Sequence, residues 1–109
     1  MRSSWLLVLT TLNRKRVIDY AAMHRIPAMY EYDVPNVTDG GLMSYGPDVK
    51  ESMASAAELA ARILAGARPG DLPVEEPTRY KLVVNLKTAK ATGIALPDNF
   101  VALADDVIE

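Results

Sequence analysis

One stretch does most to limit the architectures open to this chain. Over residues 49–67 the apolar side chains Val49, Met53, Ala56, Ala60, Ile63 and Ala67 step by four, three, four, three and four. That is the spacing of a single face of an α-helix. The stretch also carries its own boundary signals. Gly46-Pro47-Asp48 precedes it: proline is favoured in a first helical turn, and an aspartate there complements the positive end of the helix dipole. Gly66 follows, the residue that most easily takes the left-handed conformation ending a helix. The expected helix runs over about residues 48–65. Short apolar runs lie on both sides of it, and this alternation of strand and helix points to an α/β fold.

Residues 5–10 form a continuous apolar run of strand formers, the kind covered on both faces of a parallel sheet. Asn13 is expected to cap a helix over about residues 14–24. Val17, Ile18, Ala21 and Ala22 would face the sheet, with His24 and Arg25 near the negative end of the helix dipole. Pro27 ends that helix. Residues 28–32 read as the next strand, completing a βαβ unit with a right-handed crossover. Asp33 would cap a very short helix near Val34-Pro35, stopped by Gly40-Gly41. Beyond the long helix, Pro69, Gly70, Pro73 and Pro77 mark residues 67–78 as an extended crossing segment. Residues 80–86 read as a third strand and 88–92 as a short helix ended by Gly93. Pro97 opens a final helix over about residues 98–107.

Composition excludes several classes of function. The chain has 109 residues, enough for one small domain, with 50% hydrophobic and 24% charged residues. Its formal net charge of −2 offers no basic field for nucleic acid. Arg14-Lys15-Arg16 reads as a solvated helix face. With no cysteine, disulfides and thiolate chemistry are excluded. The run at residues 5–9 is shorter than the roughly 7–15 apolar residues of a signal peptide, and no segment is long enough to span a membrane. His24 is the one histidine, with no partner for catalysis or metal binding. Glu75-Glu76 and Asp105-Asp106 are adjacent pairs, and neighbours on a helix point in different directions. No catalytic residue, metal site or cofactor motif is expected.

The remaining candidate is Gly40-Gly41-Leu42-Met43-Ser44-Tyr45-Gly46-Pro47-Asp48. The glycines fit neither common nucleotide-binding pattern. Read as a turn leading into a helix N-terminus, the segment would offer free backbone amides to a carboxylate, with hydroxyls from Ser44 and Tyr45 and the Tyr45 ring. The alternative is that Ser44 caps the helix and Tyr45 packs in the core. The residues leave both readings open.

Three ordered motifs carry a resemblance. They are Gly40-Gly41-Leu42-Met43-Ser44-Tyr45-Gly46-Pro47, then Ile63-Leu64-Ala65-Gly66-Ala67-Arg68-Pro69-Gly70-Asp71-Leu72-Pro73-Val74-Glu75, then Leu82-Val83-Val84-Asn85-Leu86-Lys87-Thr88-Ala89-Lys90. Together with Ile94-Ala95-Leu96-Pro97 and the closing Ala104-Asp105-Asp106-Val107-Ile108-Glu109, they resemble the C-terminal portion of ABC-transporter substrate-binding proteins of the aromatic and amino-acid-like ligand group. Thr10-Thr11-Leu12-Asn13 departs from the proline-containing turn of that family.

The resemblance implies a Rossmann-like partial lobe of a type I periplasmic-binding-protein fold, a parallel sheet flanked by helices. Residues 1–109 would be a single partial domain. It would comprise a second-lobe βαβ unit over about 5–66, the crossing segment 67–78, and a C-terminal strand and helices over 79–109. The first lobe and export signal are expected to be missing. The resemblance further implies an amino-acid-like or organic-acid ligand in an interlobe cleft, contacted by Gly41, Ser44 and Tyr45. It implies no catalysis, a membrane permease as partner and a periplasmic location, with a cytoplasmic one expected for the chain expressed as it stands, without a signal peptide. An apolar surface left uncovered by the missing lobe would favour a homo-oligomer.

Overall fold

The computed structural model describes residues 9–109. The expected first strand lies, over residues 5–8, outside the described residues. Leu9 to Leu12 are helical rather than extended. The reason lies in Asn13, whose backbone N–H (3.1 Å) and side-chain Nδ2 (2.9 Å) both donate to the Leu9 carbonyl. Asn13 thus closes the turn before it, and its side chain does not cap the helix that follows. Helix α1 is Arg14–Met23. Ile18 is its one buried residue, Ala21 and Ala22 are half-buried, and Val17 is exposed. The helix ends in a Schellman arrangement: Arg25 N–H donates to Ala22 O and Ile26 N–H to Ala21 O. Arg25 therefore holds a positive φ of 52°.

Strand β1 is Met29–Tyr30, followed by a wide helical turn over Asp33–Val37. Asp33 accepts from the Val34 N–H, as an aspartate opening a turn should. Strand β2 is Met43–Pro47, helix α2 Val49–Leu64, strand β3 Tyr80–Asn85, helix α3 Leu86–Thr92, helix α4 Asp98–Val101 and strand β4 Asp106–Ile108.

The four strands form one sheet in the order β1-β2-β3-β4. β1 pairs parallel with β2 (Met29↔Met43, Tyr30↔Ser44), and β3 pairs parallel with β4 (Val83↔Asp106, Asn85↔Ile108). Between them Asn85 N–H donates to Leu42 O, and Asp48 N–H donates to Arg79 O. That register runs in opposite senses, so the expected parallel pairing flanks an antiparallel seam.

The expected final helix is shorter than its apolar pattern suggests. Asp105 explains the stop: its N–H donates to Leu82 O and its carboxylate accepts from Leu82 N–H, both at 2.8 Å. That clamp delivers β-branched Val107 and Ile108 to the edge of β3. Lys81 reinforces it, with Nζ 2.7 Å from Asp106 and 3.4 Å from Asp33.

Residues 9–46 and 81–109 make one compact unit, and residues 47–80 make another. The first holds the core: Ile18, Val37, Leu42, Val83, Val84 and Ala89, with buried Asn36, Ser44 and Asn85 among them. Asn85 is a three-way joint. Its Oδ1 accepts from Thr88 N–H and caps α3, its Nδ2 donates to Val37 O, and its backbone joins β2. In the second unit α2 forms where the apolar stripe predicts it and stops at Gly66 (φ 111°), again in a Schellman motif. The stripe itself is not buried: no residue of α2 is, and Met53 and Leu64 are exposed.

Candidate functional site

The segment Gly40 to Asp48 is a tight turn followed by a strand, not a long glycine-rich loop. Gly40 takes a positive φ of 113°, and its carbonyl accepts from Thr88 Oγ1 at 3.0 Å. Gly41 N–H donates to Asn36 O at 2.9 Å. A Cβ on Gly41 would lie 2.8 Å from that same oxygen and 2.8 Å from the Tyr30 ring. Gly41 is thus a packing glycine against Tyr30, whose hydroxyl pKa burial pushes up. Further along β2, a Cβ on Gly46 would overlap the Glu31 carbonyl oxygen. This glycine lets the two strands converge at their C-terminal ends.

Strand geometry separates the two expected contact side chains. Successive residues of a strand face opposite sides, so Ser44 is 1% exposed and Tyr45 is 55% exposed. Gly41 and Ser44 therefore lie together in the interior, while Tyr45 presents its ring to the outside. In the second unit the helix entrance is already satisfied. Asp48 is the N-cap of α2, and its Oδ1 accepts from Lys50 N–H (3.0 Å) and Glu51 N–H (3.2 Å). The amides that the turn reading offered to a ligand carboxylate are taken by the chain's own carboxylate.

Each unit has a cavity of ligand size. In the second unit a groove of about 450 Å³ has Asp48, Glu51, Glu75 and Glu76 on its lining against Arg79. Four carboxylates around one guanidinium make it unsuited to an acidic ligand. In the first unit a cavity of about 300 Å³ is lined in part by Thr10, Thr11, Arg14, Tyr30, Glu31 and Asn36. Tyr30 and Asn36 are the residues that hold Gly41. Arg14 is half-buried there, steadied by Asp39 at 2.7 Å and by the Thr11 carbonyl at 3.2 Å. Its residues bring a guanidinium already paired with Asp39, a phenol, an amide, two hydroxyls and the Glu31 carboxylate, polar groups of both charges that suit a small zwitterion better than a simple acid. Sequence spacing did not point to Arg14, Tyr30 or Asn36, because they come from three separate elements. Among the described residues no cluster of His, Asp or Glu could hold a metal ion, and no helix is long and apolar enough to cross a membrane.

The fold is mixed α/β, a four-stranded sheet flanked by helices, of the periplasmic-binding-protein-like type. The family model for ABC transporter substrate binding proteins matches residues 8–108, and the chain belongs to that family. Among solved structures it is similar to a conserved domain protein of Vibrio cholerae O1 biovar El Tor (TM-score 0.80, 26% identity), covering 90% of this chain and 33% of that one. It is also similar to the ABC domain from Streptococcus pneumonia in complex with L-Trp (TM-score 0.73, 28% identity), covering 84% of this chain and 31% of that one. CD0873 of Clostridium difficile, a substrate binding protein with adhesive properties solved ligand-free and open, shares the fold (TM-score 0.58, 24% identity, 93% of this chain and 33% of that one). The chain spans about a third of the length of each of these structures. The comparison with curated proteins gives no match.

Proposed function

We propose that this chain supplies one side of a small-molecule site, taking an amino-acid-like or organic-acid ligand, in an ABC import system of the periplasm. In that role it would pass its ligand to a membrane permease and catalyse nothing. The family match over residues 8–108 carries this reading. The relative in complex with L-Trp supports an aromatic amino acid as the first ligand to test. Tyr45 would meet the ligand with its exposed ring and hydroxyl. Gly41 and Ser44 would act from behind it, Gly41 by fixing the turn against Tyr30 and Ser44 by seating β2.

Titration calorimetry of the chain with L-Trp, other amino acids and short organic acids tests the proposal. Saturable binding is expected, weakened about tenfold by Tyr45→Ala, the scale of one lost aromatic contact. Heat from none of these ligands would remove the claim that this chain holds one. The exposure of Met53 and Leu64 on α2 favours a second reading, self-association through that helix. A monomer by sedimentation velocity at every concentration would overturn it.

A further inference from the structure

One exposed surface lies outside the ligand reading and does not depend on it. Arg16, Tyr20 and Met23 are spaced four and three apart along α1, which puts them on one face. Ile18, the buried residue, lies on the other. Tyr20 and Met23 are 60% and 78% exposed, two large side chains together on a solvent-facing strip of α1.

Charge decides what covers that strip. Residues 9–25 carry Arg14, Lys15, Arg16 and Arg25 against Asp19 alone, a net charge of +3. Residues 26–109 carry seven Lys and Arg against thirteen Asp and Glu, a net charge of −6. Arg14 and Lys15 are paired with Asp39 and Asp19, while Arg16 and Arg25 have no ion-pair partner among the described residues. An exposed apolar strip carrying the unpaired Arg16 guanidinium, within the basic segment of an otherwise acidic chain, matches an anionic bilayer surface: the apolar groups enter the headgroup boundary and the cation meets phosphate.

We propose that the exposed face of α1 forms a peripheral docking surface for anionic phospholipid membranes. Co-sedimentation of the whole chain with vesicles tests this. Vesicles of equal parts phosphatidylcholine and phosphatidylglycerol should pellet the protein, and vesicles of phosphatidylcholine alone should not. Met23→Glu and Arg16→Glu, both at exposed positions, should each lower the bound-to-free ratio about tenfold or more. Leu103→Glu, an exposed apolar site elsewhere, should leave it unchanged, and circular dichroism should show all three variants folded. Four results would overturn the proposal: no pelleting with phosphatidylglycerol, equal pelleting with both lipids, equal loss in Leu103→Glu, or an oligomer without lipid that Met23→Glu converts to monomer. The last would assign the strip to a second copy of the chain.

Discussion

At the scale of single residues, the segment that drew attention in the sequence divides by packing. Ser44 and Tyr45 are adjacent, and as parts of a loop they could reach one ligand together. As parts of a strand they cannot, and the 1% and 55% exposures of the two follow from that alternation. The glycines were visible as a turn signal, but Gly46 is needed for another reason, the convergence of β2 on Glu31. Gly46→Ala is expected to cost about 3 kcal/mol or more, since a backbone carbonyl cannot rotate away as a side chain can. Chemical denaturation measures this, and a midpoint like that of the parent would show that the strands can separate without loss. Arg25 is the opposite case. It stands at the left-handed position that closes α1, where glycine is the usual occupant. Arg25→Gly should stabilise the chain by about 1 kcal/mol, the strain relieved exceeding the added freedom of the unfolded chain. A lower denaturation midpoint would contradict this account.

At the scale of elements, what could be read from the sequence was what local signals encode. The apolar stripe, Asp48 and Gly66 gave α2 nearly to the residue, and Gly93 gave the end of α3. The misread elements are those decided by partners that the apolar pattern does not reveal. The apolar spacing over residues 98–107 suits a helix, yet Asp105 bonds to Leu82 far back in the chain and turns the end into a strand. Asn13 has the chemistry of a helix cap and spends it on the preceding carbonyl. Asp48→Ala should remove about 1 kcal/mol through the loss of two capping bonds, with helical ellipticity falling before the rest of the fold on heating. The attachment of β4 should also depend on pH. Lys81 holds the Asp106 carboxyl below its ordinary 3.8, chiefly by hydrogen bonding, and Asp106 holds Lys81 above its ordinary 10.5 in the same way. The contribution of Asp106 is full above pH 3.8 and is lost as pH falls through its depressed folded value. That of Lys81 is full below pH 10.5 and is lost as pH rises through its raised one. Asp106→Asn should therefore lower the melting temperature at neutral pH and flatten its fall below pH 3.8. An acid limb identical in both proteins would remove the pair from the account of β4.

At the scale of the whole molecule, the uneven distribution of burial is the property no local signal encodes. Periodicity announces that a helix has an apolar face, but not that anything lies against it. α2 has the most regular stripe in the chain and no buried residue, whereas the first unit builds a core from residues spread from Ile18 to Ala89. Local stability follows the number of buried apolar contacts, so the two units should open with different free energies. Native-state hydrogen exchange measures this residue by residue. The amides of Val83, Val84 and Asn85, in a central strand beside a buried core, should exchange only through global unfolding. Their apparent opening energies should track the denaturation midpoint of each variant. The amides in the middle of α2 should exchange faster, through an opening confined to residues 47–80, and should be the ones that Asp48→Ala accelerates. Any molecule that covers Met53 and Leu64 should slow them selectively, because burying that stripe adds to the second unit the apolar contacts it lacks. Equal protection of α2 and β3 in the isolated chain would mean instead that the two units unfold as one, with the stripe contributing nothing that burial could add.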